Sequence, residues 1–68
     1  MLKIKYKVSE DAKIMEKDYE NVNAFLQGQY LEVPPLQDHF MVVEAADDGE
    51  EISLKDRTIG GLFNYLNK

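Results

Sequence analysis

The chain has 68 residues, no cysteine, and thirteen acidic against eight basic side chains, giving a net charge of −5. That length admits one domain, residues 1–68, whose thin core buries only about 60% of the unfolded surface. Without cysteine, neither a disulfide staple nor a thiolate metal site is available, so packing alone, or packing with self-association, must hold the fold.

Residues 2–8, Leu-Lys-Ile-Lys-Tyr-Lys-Val, alternate strictly. Leu2, Ile4, Tyr6 and Val8 take one face and Lys3, Lys5 and Lys7 the other, the period-two pattern of a strand with one wet face. The same alternation leaves no uninterrupted apolar stretch for a signal peptide, and no segment approaches the ~20 apolar residues of a membrane span. A cytoplasmic location is the expectation. Ser9-Glu10-Asp11 favours a turn, and residues 12–17 can return as a short second strand with Ile14 on the apolar side. The rival reading is one long helix from Glu10 to Gly28, because Glu, Lys and Met suit helices too.

From Asp18 the period changes. Tyr19, Val22, Phe25 and Leu26 form a helical stripe, with Asp18 as cap, Glu20 in the first turn and Gly28 at the end. Residues 29–38 connect onward, and Pro34-Pro35 forbids further helix. Residues 40–45 are apolar on both faces, as in a central strand. Asp47-Asp48-Gly49 is a hairpin turn signal, followed by a return strand over residues 50–54. Thr58 or Asp56 can cap a last helix bearing Ile59, Leu62, Phe63 and Leu66. In it, Gly60 and Gly61 imply close packing or a delayed start.

The halves match in pattern. Residues 1–28 and 39–68 each read as strand–strand–helix, a pseudo-repeat joined by 29–38. The expected fold is therefore α+β, a two-layer sandwich in ββαββα order: a four-stranded, mostly antiparallel sheet with two helices on one face. If residues 12–17 are helical, the alternative is βαββα with three strands. The expected core is Leu2, Ile4, Tyr6, Ile14, Tyr19, Val22, Phe25, Leu26, Val42, Ile52, Leu54, Ile59, Leu62, Phe63 and Leu66.

Charge is unevenly placed. Residues 1–17 hold five lysines against three acids, while residues 18–68 hold three basic residues against ten acids. Lys3, Lys5, Lys7, Lys13 and Lys17 could form a basic patch on the first hairpin, the feature a nucleic-acid-associated protein would use. Such a sheet normally adds exposed aromatics for base stacking, and none are expected on the lysine side. Net negative charge also repels nucleic acid and anionic membranes.

Other motifs yield no chemistry. The run Glu44, Asp47, Asp48, Glu50, Glu51 fails the EF-hand pattern, since Ala46 and Lys55 would fall on ligand positions. His39 has Asp38 beside it but no nucleophile, so no triad can be assembled. Gly60-Gly61 lacks both the dinucleotide fingerprint and the P-loop lysine. No cofactor is implied, and the protein reads as a non-enzyme. What remains is a protein-interaction module, with homodimerisation through the uncovered sheet face or an edge strand as one form of it. Met15, Met41 and Val43 are expected as an apolar spot on the open face, with Ala45 beside them. The second candidate surface is the connection carrying Tyr30, Leu31, Val33, Pro34 and Pro35, which can dock on a partner or fold back onto the domain.

The opening Lys-Ile-Lys-Tyr strand, Asp18-Tyr19-Glu20, and the ending Thr58-Ile59-Gly60-Gly61-Leu62-Phe63-Asn64-Tyr65-Leu66 carry a resemblance over nearly the whole chain. They resemble a family of short uncharacterised proteins, a domain of unknown function, from streptococci and related low-GC Gram-positive bacteria. The resemblance implies a small cytoplasmic bacterial protein and assigns no active residues.

Overall fold

In the computed structural model, which describes residues 1–67, the element order is ββαββα. Lys68, the last residue of the second unit, lies outside the described residues. The strands are β1 (Leu2–Lys7), β2 (Met15–Tyr19), β3 (Met41–Asp47) and β4 (Glu50–Glu51); the helices are α1 (Val22–Gln29) and α2 (Ile59–Leu66). All pairings are antiparallel, in the order β2-β1-β3-β4, so the two hairpins meet through their first strands. Among the described residues no helix is long and apolar enough to cross a membrane.

The alternation of β1 sets the layers. Leu2, Ile4 and Tyr6 are buried beneath the helices, while Lys3 and Lys5 are exposed on the open face. Onto the apolar row pack Phe25 of α1, Ile59 and Leu62 of α2, and Val42 and Ala45 of β3. Fully burying a side chain of this size contributes roughly 1.5–3 kcal/mol. Tyr19 meets Phe25 edge-on at 5.3 Å, and Tyr6 stacks on Phe40 at 5.7 Å. Leu36, from the Pro-containing connection, is also fully buried, a core position not expected from its sequence context.

The second strand differs from the sequence reading in a way that matters. It spans 15–19 rather than 12–17, and its register sets Tyr19 against Leu2, Lys17 against Ile4 and Met15 against Tyr6. Side-chain parity is thereby reversed: Ile14 is 58% exposed instead of buried, and Tyr19 belongs to the sheet rather than to the helix. Extending the ladder to Leu2 brings the Tyr19 ring onto Phe25, whereas ending at Lys17 would leave Leu2 and Lys3 without partners on the β2 side. The helix consequently starts later. Asn21, not Asp18, is its cap and accepts from the Ala24 N–H at 2.8 Å. Gly28 does not end α1; the tight turn through Tyr30 and Leu31 does, with their N–H groups donating to Gln27 and Gly28 carbonyls at 3.2 and 3.3 Å.

A β-bulge changes the face of the next strand as well. Lys5 opposes Glu44 but Tyr6 opposes Val42, so Val43 is the extra residue. Val42 and Ala45 can then both point inward, and Ala45 belongs to the core rather than to the open face. The turn after β3 agrees with its sequence signal, with Asp48 at φ 52° and Gly49 at φ 86°. The return ladder is shorter than expected, ending at Glu51 instead of residue 54. The Ile52 N–H still reaches the Ala45 carbonyl at 2.8 Å, and Ile52 and Leu54 still pack on the core. Beyond them the chain leaves the sheet and rejoins the β3 edge where the Val42 N–H donates to the Arg57 carbonyl at 2.9 Å. Thr58 caps α2, accepting from the Gly61 N–H at 3.0 Å and donating to Asp56 Oδ1 at 3.0 Å.

Candidate functional site

The lysines of the first hairpin do not form one patch. On the open face Lys3 lies between Asp18 and Ala46, and Lys5 between Glu16 and Glu44. The Lys5 ammonium is 3.8 Å from Glu44. A shallow depression of about 210 Å³ sits over Ala46, walled by Lys3, Lys5, Glu16 and Glu44. Lys7 stands opposite Met41. Lys13 is in the hairpin loop. Lys17 takes the helix side of the sheet, its ammonium 5.6 Å from the Tyr19 ring centre. Acids therefore flank the lysine row on both sides, and the aromatic side chains of this hairpin are on the opposite face.

Met15, Met41 and Val43 are not brought together either. Met15 shares the helix side with Tyr6, Met41 stands opposite Lys7, and Val43 sits in the bulge. Met41 and Val43 are half-buried, and the Val43 carbonyl accepts from the Arg57 guanidinium at 3.0 Å. What Met15 does join, in sequence and exposure, is Val8 and Ile14. These three are 47%, 41% and 58% exposed at one end of the sheet. Val8 and Ile14 escaped the sequence reading because the assumed strand boundary placed them among apolar, inward positions.

The 30–36 connection divides in two. Leu36 is an anchor: its side chain is buried and its carbonyl accepts from Gln29 Nε2 at 2.9 Å. Pro34 is half-buried and Pro35 exposed, in a run of bends rather than an extended rod. Tyr30, Leu31 and Val33 project outward, 63%, 60% and 79% exposed. The Tyr30 ring meets Phe63 of α2 edge-on at 5.5 Å, so this apolar group is held against the helix layer. Beside it, Gln29, Tyr30, Asp38 and Phe63 line a notch of about 200 Å³.

His39 is exposed and lies edge-on to Phe40 at 5.0 Å. The first N–H groups of α2 are all engaged: Ile59 by the Phe40 carbonyl, Gly60 by the Asp38 carbonyl, Gly61 and Leu62 by Thr58. No donor there is left for a phosphate. Gly61 is required by space, because a Cβ there would overlap the Asp56 carbonyl. Against α2 and the 53–56 segment lies a cleft of about 410 Å³ that motif reasoning had no means of finding. At the β3–β4 turn, Asp48 pairs with the Met1 amine, and that hydrogen bond raises the amine pKa above 8.0. Among the described residues no three His, Asp or Glu side chains are grouped to hold a metal ion. The Tyr19 hydroxyl and Gln29 Oε1 are buried without a protein partner. Burial, with a smaller contribution from Tyr6, pushes the Tyr19 hydroxyl above its ordinary pKa of 10.0.

The chain matches no protein-family model, no curated protein and no solved structure.

Proposed function

We propose that the protein is a small, non-enzymatic protein-interaction module of the cytoplasm. The observation that carries this reading is the trio Tyr30, Leu31 and Val33, outward-facing and apolar on a connection pinned by Leu36 and by the Tyr30–Phe63 contact. Apolar side chains displayed on a fixed backbone lose little conformational freedom on docking, which favours association. His39 contributes no reactive constellation, lying exposed on its loop. The lysine row that a nucleic-acid partner would need is interleaved with Asp18, Glu16 and Glu44, which offsets its attraction for phosphates.

The test is retention from an extract of the source cells on immobilised protein, with Leu31→Asp/Val33→Asp as comparison. The wild type is expected to retain a partner, or further copies of itself, that the variant loses while its unfolding temperature stays unchanged. Equal retention by both proteins would contradict the reading.

A further inference from the structure

Among the described residues the sheet has one open edge. On the β4 side the Val42 N–H is taken by the Arg57 carbonyl, Thr58 bridges to Met41, and the Arg57 guanidinium donates to the Val43 carbonyl. β2 ends the sheet on the other side, and no backbone hydrogen bond reaches it from any described segment except β1. Met15, Glu16, Lys17 and Asp18 are exposed and Tyr19 is half-buried. The outward N–H and C=O groups of such a strand are a template for one further strand. Which strand fits is shown by the partner β2 already has. β1 lies antiparallel to it as apolar–Lys–apolar–Lys–apolar: Leu2 opposes Tyr19, Lys3 opposes Asp18, Ile4 opposes Lys17, Lys5 opposes Glu16 and Tyr6 opposes Met15. Side chains stand above and below a sheet, so β2 presents the same five, with the same parity, to a neighbour on its outer side. On the open face the outermost column is acidic, Glu16 and Asp18, with Lys5 and Lys3 one strand further in. Neither acid makes an ion pair among the described residues; the Lys5 ammonium lies instead 3.8 Å from Glu44. On the helix side Met15 and Tyr19 offer apolar surface. The Lys17 ammonium there lies 5.6 Å from the Tyr19 ring centre, and Ile4 is accepted opposite it.

We propose that the outer edge of β2 binds an extended peptide segment of apolar–basic–apolar–basic–apolar pattern. The segment lies antiparallel to β2, its two basic side chains opposite Glu16 and Asp18 and its apolar ones opposite Met15, Lys17 and Tyr19. This surface is separate from the Tyr30–Leu31–Val33 group and does not depend on it. A second copy of the chain is a poor occupant. Its own β1, which has the required pattern, is enclosed between β2 and β3. An antiparallel copy of β2 centred on Lys17 sets Lys17 against Lys17 and Glu16 against Asp18, like charges directly opposite. Sliding that copy to centre on Glu16 or on Asp18 sets the acid against itself. A contact of five residues a side is weak and transient, and its charge pairs make it salt-sensitive.

The experiment is a nuclear magnetic resonance titration of the isotopically labelled protein with the synthetic peptide Leu-Lys-Ile-Lys-Tyr-Lys, the sequence of β1. A second peptide carries glutamate in place of each lysine. Salt is set at about 0.01 M and about 0.15 M, where the screening length falls from about 30 Å to about 8 Å. The lysine peptide is expected to shift the backbone amides of residues 15–19 and slow their hydrogen exchange, while the Leu2–Tyr19 contact of the native ladder persists. Its expected Kd is about 0.1–1 mM at low salt and about fivefold weaker at the higher salt. The glutamate peptide is expected to bind at least about tenfold more weakly. Glu16→Lys/Asp18→Lys should reverse that preference. The milder Glu16→Gln/Asp18→Asn, which puts no like charge beside Lys3 and Lys5, should weaken the lysine peptide about fivefold, with thermal unfolding reporting the fold of each variant. Leu31→Asp/Val33→Asp should bind the peptide as tightly as the wild type; loss of binding there would assign the peptide to the other surface and overturn the proposal. So would the absence of any shift at about 2 mM peptide, shifts confined to residues outside 15–19, or equal affinity for the two peptides. Loss of the Leu2–Tyr19 contact, the peptide having replaced β1, would overturn it as well.

Discussion

The two strand–strand–helix units solve the same problem with different local chemistry. In the second unit the turn carries the information. Asp48 and Gly49 both adopt positive φ, which matches the twist of the flanking strands and fixes which residues oppose each other. Its ladder is only two residues long, and the rest of the unit is held by Arg57, Thr58 and the close approach of Gly61 to Asp56. In the first unit a seven-residue loop, 8–14, joins two longer strands that pair from Leu2–Tyr19 to Tyr6–Met15. Here the ladder carries the information and the turn almost none. A hairpin with a strong turn tolerates a short ladder, and one with a weak turn needs a long one.

The largest way to break that comparison lies in the second unit. Gly61→Ala forces a methyl into the Asp56 carbonyl and is expected to cost about 3 kcal/mol, a fall of roughly 10–20 °C in Tm for a domain of this size. Gly60→Ala finds its nearest neighbours at 3.5 Å, so thermal unfolding should show a change within about 0.5 kcal/mol. Next in size are two isoleucines that flank the return strands, Ile52 just after β4 and Ile14 just before β2. Urea titration of Ile52→Ala should reveal a loss of about 1–2 kcal/mol, since Ile52 packs on the core. Ile14→Ala should stay within about 0.5 kcal/mol, since Ile14 is 58% exposed. Equal costs would mean that β2 has the other parity.

The helix caps give smaller effects. Asn21→Ala and Thr58→Ala each remove a cap and should cost about 1 kcal/mol by chemical denaturation. Thr58 should be the more costly of the two because its hydroxyl also donates to Asp56. Tyr19→Phe is the smallest. It keeps the ring on Phe25 and removes a buried hydroxyl without a protein partner, so neutral-pH stability should be unchanged or slightly higher. With the folded-state pKa above 10.0, the unfolded chain loses the Tyr19 proton first, and stability falls as pH rises through 10.0 towards the folded value. The variant should lose less stability over that alkaline range.

Those contrasts also explain what was legible in the chain. The alternation of Leu2 to Lys7 and the Asp48-Gly49 turn each have one physical solution, and the match between the two halves then favoured ββαββα over βαββα. Residues 12–19 have two, because Ile14 lies on one parity and Met15 and Tyr19 on the other. Pairing with Leu2, a tertiary contact, decides between them. The bulge at Val43 was hidden by apolar residues on both faces of 40–45. Leu36 was hidden by the prolines before it, which mark a connection without saying that it turns inward. For Tyr30, Leu31 and Val33 the sequence left docking and folding back both open, and the structure exposes all three. The separation of Lys17 and Met15 from Lys3 and Lys5 depended on the β2 register and could not be read.

That register is the central claim, since the interleaved charges of the open face and the exposure of Ile14 both follow from it. The most direct measurement is the set of cross-strand nuclear Overhauser contacts between β1 and β2. The structure predicts Leu2 opposite Tyr19, Ile4 opposite Lys17 and Tyr6 opposite Met15. Contacts placing Ile4 opposite Glu16 or Asp18 would reverse the parity of β2 and contradict the account.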